Sequence, residues 1–88
     1  MISTVQDLAA EALFVSDLQP SQCPSRQAVE RAVTAMILLH GSDGCAAEVA
    51  TEFGDHPEIA VARMGWARTQ ISHMAPLVIG SQRAALAG

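Results

Sequence analysis

Hydrophobic residues recur at intervals of three and four along most of the chain, which is typical of amphipathic helices. Their spacing predicts four helices, at about residues 5–18, 26–40, 45–53 and 57–74. The segment 77–88 is either a fifth short helix, a dimer arm or a frayed tail. The sequence therefore predicts an all-α fold, a compact four- or five-helix domain.

Each predicted helix has an apolar face that we expect to point inward. The predicted inward residues are Val5, Leu8, Ala9, Ala12 and Val15; Val29, Ala32, Val33, Met36, Ile37 and His40; Ala46, Val49, Ala50 and Phe53; and Ala60, Met64, Ala67, Ile71 and Met74. Residues 35–39 are apolar all round. This end of the second helix is therefore either central in the fold or at an interface.

Proline, glycine and capping residues mark the predicted boundaries of the first two helices. Pro20 and Pro24 cannot lie inside a helix, so residues 19–25 are predicted to form a connector. Ser25 is a good amino-terminal cap for the second helix. Gly41 is a natural left-handed terminator and should end that helix.

The third and fourth helices are predicted to meet in a tight turn. Gly54 should end the third helix. Asp55 can then cap the fourth, with Pro57 in its first turn and Glu58 three residues after the cap, as in a capping box.

The composition supports helices and one domain. A chain of 88 residues has room for one core, so we predict that residues 1–88 form a single domain. Half of the residues are hydrophobic, but Ala is abundant and only two Phe, one Trp and no Tyr are present. Strands favour β-branched and aromatic residues, whereas small residues suit closely packed helices. The low charged fraction leaves much apolar surface to cover, which favours self-association.

The amino-terminal residues do not have the pattern of a signal peptide, because Asp7 and Glu11 interrupt the apolar residues. No apolar run approaches the length of about 20 residues that a membrane span needs. Two cysteines do not make a disulfide framework. We therefore expect a cytoplasmic location and no membrane partner.

The predicted hairpin at residues 48–68 resembles the carboxy-terminal helix-turn-helix of bacterial extracytoplasmic-function sigma factors. The residues that carry the resemblance are Glu48-Val49-Ala50, Phe53-Gly54, Arg63-Met64 and Ala67-Arg68. It implies that Ala50 lets the two helices approach closely, that Gly54 makes the turn, and that helix 57–74 reads DNA. Arg63 and Arg68 would then contact phosphates or bases.

Charge opposes a DNA-binding role. The chain has five Arg, no Lys and a net charge of −4, whereas a free-standing nucleic-acid binder usually carries a basic surface. Asp55, His56 and Glu58 also replace the apolar and polar residues that the family has after the turn. Acidic groups at the helix end that faces phosphates would be repelled.

Other kinds of site have little support in the sequence. The candidate metal ligands lack paired spacing such as Cys-x-x-Cys. They are Cys23, His40, Cys45, His56 and His73. No nucleophile elbow or phosphate-binding loop is present. We therefore expect no catalytic residue, no metal and no cofactor, and hence no enzyme.

The sequence favours a non-catalytic helical regulatory or protein-interaction module that forms a homodimer and binds an unknown protein. The alternative is a DNA-binding transcription regulator that uses helix 57–74. A remote alternative is a thiol sensor based on Cys45 or a metal sensor based on the cysteines and histidines. The candidate nucleic-acid or partner contacts are Arg63, Arg68, Trp66 and His56. Trp66 is either a core anchor or a partner-binding hot spot.

Overall fold

The computed structural model describes residues 4–74, and this part of the chain is helical and without strands. The elements are α1 (Thr4–Val15), a 3-10 turn (Pro20–Gln22), α2 (Arg26–Asp55) and α3 (Pro57–His73). The predicted all-α class is confirmed. A count of four or five helices is not confirmed, and the predicted fifth helix, arm or tail at 77–88 lies outside the described residues. Within 4–74, none of the helices combines the length and apolar character of a membrane span.

Gly41 was predicted to end the second helix. In the structure it forms a sharp kink inside the longer helix α2. Gly41 has φ 73° and ψ 170°, a combination that is essentially restricted to glycine. The Cys45 Sγ atom lies 3.7 Å from the carbonyl oxygen of Met36, although nine residues of straight helix would span about 13.5 Å. A Cβ atom on Gly44 would lie only 3.0 Å from the Cβ of His40. The two halves of α2 therefore fold toward each other at Gly41.

The helix starts follow the predicted caps in one case and not in another. The Ser25 side chain accepts a hydrogen bond from the Ala28 N–H at 3.1 Å, so the predicted cap of α2 is confirmed. Asp55, in contrast, is the last residue of α2, and His56 caps α3 without a side-chain hydrogen bond. The predicted Asp55–Glu58 capping box is therefore wrong. Pro57 lies in the first turn of α3, as predicted.

The turn between α2 and α3 is also shorter than predicted. Gly54 lies inside α2 and is exposed, with open space where a Cβ atom would be. His56, at φ −140° and ψ 66°, is the one non-helical residue between the two helices. Gly54 therefore neither makes the turn nor permits a close helix contact. The helix continues past it to Asp55, and the His56 N–H still donates to the Glu52 carbonyl at 2.7 Å.

The core is formed where all three helices meet, and α1 packs against both α2 and α3. The predicted stripe of α3 is confirmed, since all five of its residues are buried. The buried apolar residues are Ala9, Ala10, Ala12, Leu13 and Phe14 of α1; Val29, Val33, Cys45 and Val49 of α2; and Ala60, Met64, Ala67, Ile71 and Met74 of α3 and its end.

Several predicted inward residues point elsewhere. Val5 is 48% exposed, because the buried part of α1 is its second half. Ala46 and Ala50 are exposed, since the inward line of α2 runs through Cys45 and Val49 and the next residue is rotated by about 100°. Ala50 therefore does not mediate the close helix contact that the resemblance implies. His40 is likewise exposed, next to the kink.

A pair of identical substitutions tests the kink at Gly41. We expect Gly41→Ala to lower the free energy of unfolding by about 1–3 kcal/mol, because alanine disfavours this backbone conformation. Gly65→Ala is the matched control, since Gly65 lies in α3 and open space also surrounds its missing Cβ. That change should raise the free energy of unfolding by about 0.5–1 kcal/mol. Urea denaturation measures both, and equal effects would contradict this account of the kink.

Candidate functional site

Arg63, the leading candidate for a DNA contact, binds the carboxyl end of α1. Its Nε donates to the Phe14 carbonyl at 2.7 Å. Its Nη2 donates to the carbonyls of Ser16 at 2.8 Å and Leu13 at 3.3 Å. Burial lowers the pKa of the Arg63 guanidinium, and the charge of Asp17 opposes that change. The group is therefore held inside the fold by three carbonyl oxygens.

The amino-acid sequence of α1 explains why this arginine is needed. The last carbonyls of a helix lack intrahelical donors and carry partial negative charge. The last turn of α1 has no basic residue of its own. Ser16, which is buried, satisfies part of the end through its N–H and through its hydroxyl, which donates to the Leu13 carbonyl at 2.7 Å. Arg63 supplies further donors from α3, to the carbonyls of Leu13, Phe14 and Ser16.

The same guanidinium joins the aromatic residues of the chain. Its Cζ atom lies 5.8 Å from the Phe14 ring centroid and 5.2 Å from the Trp66 ring, within range of cation–π attraction. Phe14 in turn stacks on Phe53, with centroids 6.0 Å apart. Because the chain has two Phe, one Trp and no Tyr, this cluster contains every aromatic residue. It connects α1, α2 and α3.

Arg68 also contacts α1, at its opposite end. Its Nη1 lies 3.1 Å from Asp7 Oδ1, and both side chains are about half exposed. Since Arg63 meets the end of α1 and Arg68 meets its start, α3 runs antiparallel to α1. An exposed pair of this kind contributes at most about 1 kcal/mol.

The four candidate contact residues are thus not one exposed reading surface. Trp66 is partly buried and packs against the core, while His56 is exposed at the start of α3. Arg63 and Arg68 both contact α1. The exposed positions in the first two turns of α3 include Glu58, Ile59 and Val61, which supply one negative charge and apolar surface.

An open groove lies beside Arg63. It is formed by the end of α1, the second half of α2 and the start of α3, and has a volume of ≈ 360 Å³. Phe14, Val15 and Ile59 give it apolar walls, and Glu48 and Glu52 give it an acidic side. Glu48 and Glu52 are one helical turn apart in the sequence. No local sequence pattern predicts the groove, because none shows that the three helix ends meet.

A second feature is an exposed apolar surface at the end of the first half of α2. Leu38 is 81% exposed and Leu39 is 71% exposed. Ala35 beside them is exposed as well, while Met36 and Ile37 pack against the core. Residues 35–39 were predicted to lie either at the centre of the fold or at an interface. The exposure of Leu38 and Leu39 shows that the prediction of a central place is wrong. We call Ala35, Leu38 and Leu39 the leucine patch.

Comparison of the chain with protein-family models, with curated proteins and with solved structures gave no match.

The cysteines and histidines do not assemble into a metal centre within residues 4–74, where no group of three potential ligands occurs. Cys45 is fully buried. Burial raises the pKa of its thiol, and the nearby Glu11 carboxylate adds to the increase. A protonated, inaccessible thiol is a poor nucleophile, so this environment gives no support to a thiol sensor based on Cys45.

Replacing Arg63 tests its role in the fold. Arg63→Met keeps an apolar stem but removes the donors to the Phe14 and Ser16 carbonyls, and we expect the free energy of unfolding to fall by about 2–4 kcal/mol. The matched control, Arg68→Met, breaks only an exposed pair and should cost less than about 1 kcal/mol. Urea denaturation compares the two variants. Equal losses would show that the carbonyl contacts of Arg63 do not stabilise α1.

Proposed function

We propose that this chain is a non-catalytic protein-interaction module that forms a homodimer through the leucine patch. The exposure of Leu38 and Leu39, at 81% and 71%, is the observation that supports it. Two adjacent leucines rarely remain in water without a reason, since burying each contributes about 1.5–3 kcal/mol. A partner surface would remove this cost.

A second copy of the chain is a suitable partner for this surface. In a twofold dimer the same patch lies on both sides of the interface, so it must be complementary to itself. The leucine patch has no charged residue, and two copies can therefore approach without bringing like charges together. The exposed Ala35 is small enough to allow close packing of the two helices. The surrounding chain, with a net charge of −4, should limit association to this surface.

DNA binding, the alternative predicted from the resemblance, receives less support from the side-chain contacts. The resemblance requires Arg63 and Arg68 to meet phosphates, but Arg63 donates to three carbonyls and Arg68 pairs with Asp7. Arg26 contacts Glu30 at 3.4 Å. Recruiting these arginines for DNA would break contacts within the fold.

We expect titration with mixed-sequence duplex DNA to give no binding at about 50 mM salt, where phosphate contacts are strongest. Fluorescence anisotropy of labelled duplex measures this directly. Binding that weakens steeply as salt is added would contradict the proposal and favour the DNA-binding alternative.

Sedimentation tests the homodimer. At micromolar concentration the wild-type chain should sediment with twice the chain mass, and Leu38→Gln with Leu39→Gln should give a monomer. Glutamine keeps a good helix propensity, so the change removes apolar surface rather than helical structure. The free energy of unfolding extrapolated to low protein concentration should change little.

The matched control is Ile59→Gln with Val61→Gln, which also removes two exposed apolar side chains, at 67% and 62% exposure. This variant should remain dimeric. A monomeric wild-type chain, or a dimer that is lost only in the control variant, would refute the leucine patch as the dimer surface.

A further inference from the structure

The groove beside Arg63 combines apolar walls with negative charge that has no partner among the described residues. Glu48 and Glu52 lie one helical turn apart on α2, and their carboxylates face the groove together. Within residues 4–74 the ion pairs are Arg26–Glu30 and Arg68–Asp7, so neither glutamate is paired. Like charges at this spacing repel each other by a few tenths of a kcal/mol.

The positive charge inside the groove is already used. Arg63 lines it, but its Nε and Nη2 atoms donate to the α1 carbonyls at 2.7, 2.8 and 3.3 Å. The guanidinium therefore neutralises the carboxyl end of α1 rather than the two glutamates. A ligand of the groove would meet carboxylates and apolar walls.

Further acidic residues surround this end of the molecule. α1 and α2 both end here and α3 begins here, and each junction carries carboxylates. The acidic residues at this end, including the two glutamates of the groove, are Asp17, Glu48, Glu52, Asp55 and Glu58. Five of the nine acidic residues of the chain are thus at this end, and Arg63 is the only arginine among the described residues that line the groove. Charge complementarity therefore selects a cationic occupant.

We propose that the groove binds a basic amphipathic segment of a partner protein. An apolar side chain of that segment packs between Phe14 and Ile59, and an arginine or lysine beside it pairs with Glu48 and Glu52. This inference rests on the proposed function, because it names the kind of protein that the interaction module binds.

Three properties favour this occupant. Ile59 is 67% exposed and gains most from being covered. The Cβ atoms of Glu48 and Glu52 are about 5–6 Å apart, a spacing at which one planar guanidinium can bridge the two carboxylates with several N–H donors. Nucleic acids and anionic membranes would be repelled by the same carboxylates.

A synthetic amphipathic peptide of leucine and arginine serves as the probe, and the same peptide with glutamate in place of arginine is its control. Fluorescence anisotropy gives the dissociation constant, and amide chemical shifts of the labelled protein locate the contact. We expect the arginine peptide to bind and to shift residues that line the groove. The glutamate peptide should not bind.

Matched variants separate the groove from general charge. Glu52→Gln should weaken binding by about two- to fivefold, the range of a partly exposed ion pair. Asp43→Asn removes one negative charge elsewhere on the surface and should leave the dissociation constant unchanged. Ile59→Gln should weaken binding by about tenfold through lost apolar burial. Val61→Gln, which removes an exposed side chain outside the groove, should have no effect.

Equal binding of both peptides, equal effects of Glu52→Gln and Asp43→Asn, or shifts confined to the leucine patch would overturn the groove proposal. The measurements are repeated on the chain with Leu38→Gln and Leu39→Gln. Peptide binding should persist there, because no residue of the leucine patch lines the groove. If the arginine peptide does not bind, but the wild-type chain is a dimer that Leu38→Gln with Leu39→Gln abolishes, only the groove proposal is refuted. A wild-type monomer refutes the proposed dimer instead.

Discussion

The contact between the Arg63 guanidinium and the carbonyls of α1 is the interaction on which the rest of the fold depends. The end of α1 is buried, and its carbonyl oxygens need donors that α1 does not contain. Arg63 provides them at 2.7, 2.8 and 3.3 Å. Its flat group also lies over Phe14 and Trp66. This one side chain fixes α3 antiparallel to α1 and closes the aromatic cluster.

That internal use of Arg63 has consequences for the surface. A chain with five arginines and nine acidic residues has little positive charge to spare, and three of its arginines make contacts within the fold. Among residues 4–74, Glu48 and Glu52 have no ion-pair partner beside the apolar groove. The leucine patch is also exposed, because α2 folds back at Gly41 and none of the described helices covers Leu38 and Leu39. We propose that charge selects the partner of the groove and that apolar area selects the partner of the leucine patch.

Local patterns predicted the elements of the fold that depend on a few neighbouring residues. Ser25 caps α2 by accepting a hydrogen bond from the N–H of Ala28, three residues along the chain. Gly41 has a backbone conformation that suits glycine. The buried stripe of α3 follows from helical spacing alone. Gly54 and Asp55 were assigned wrongly, because both residue types are common at helix ends. Whether a helix ends at such a residue also depends on tertiary packing, which sequence spacing does not report.

The sequence by itself determined the helical class, the cap at Ser25, an interruption at Gly41 (predicted as a helix end and found as a kink) and the inward line of α3, since each follows from backbone preference or from a period of 3.6 residues. Only the tertiary structure decided what the charged and exposed residues do. Arg63 is 47 to 50 residues from the carbonyls that it binds, and Arg68 is 61 from Asp7. Such contacts form only when helices pack, and they decided that two predicted DNA contacts instead hold α1 in place.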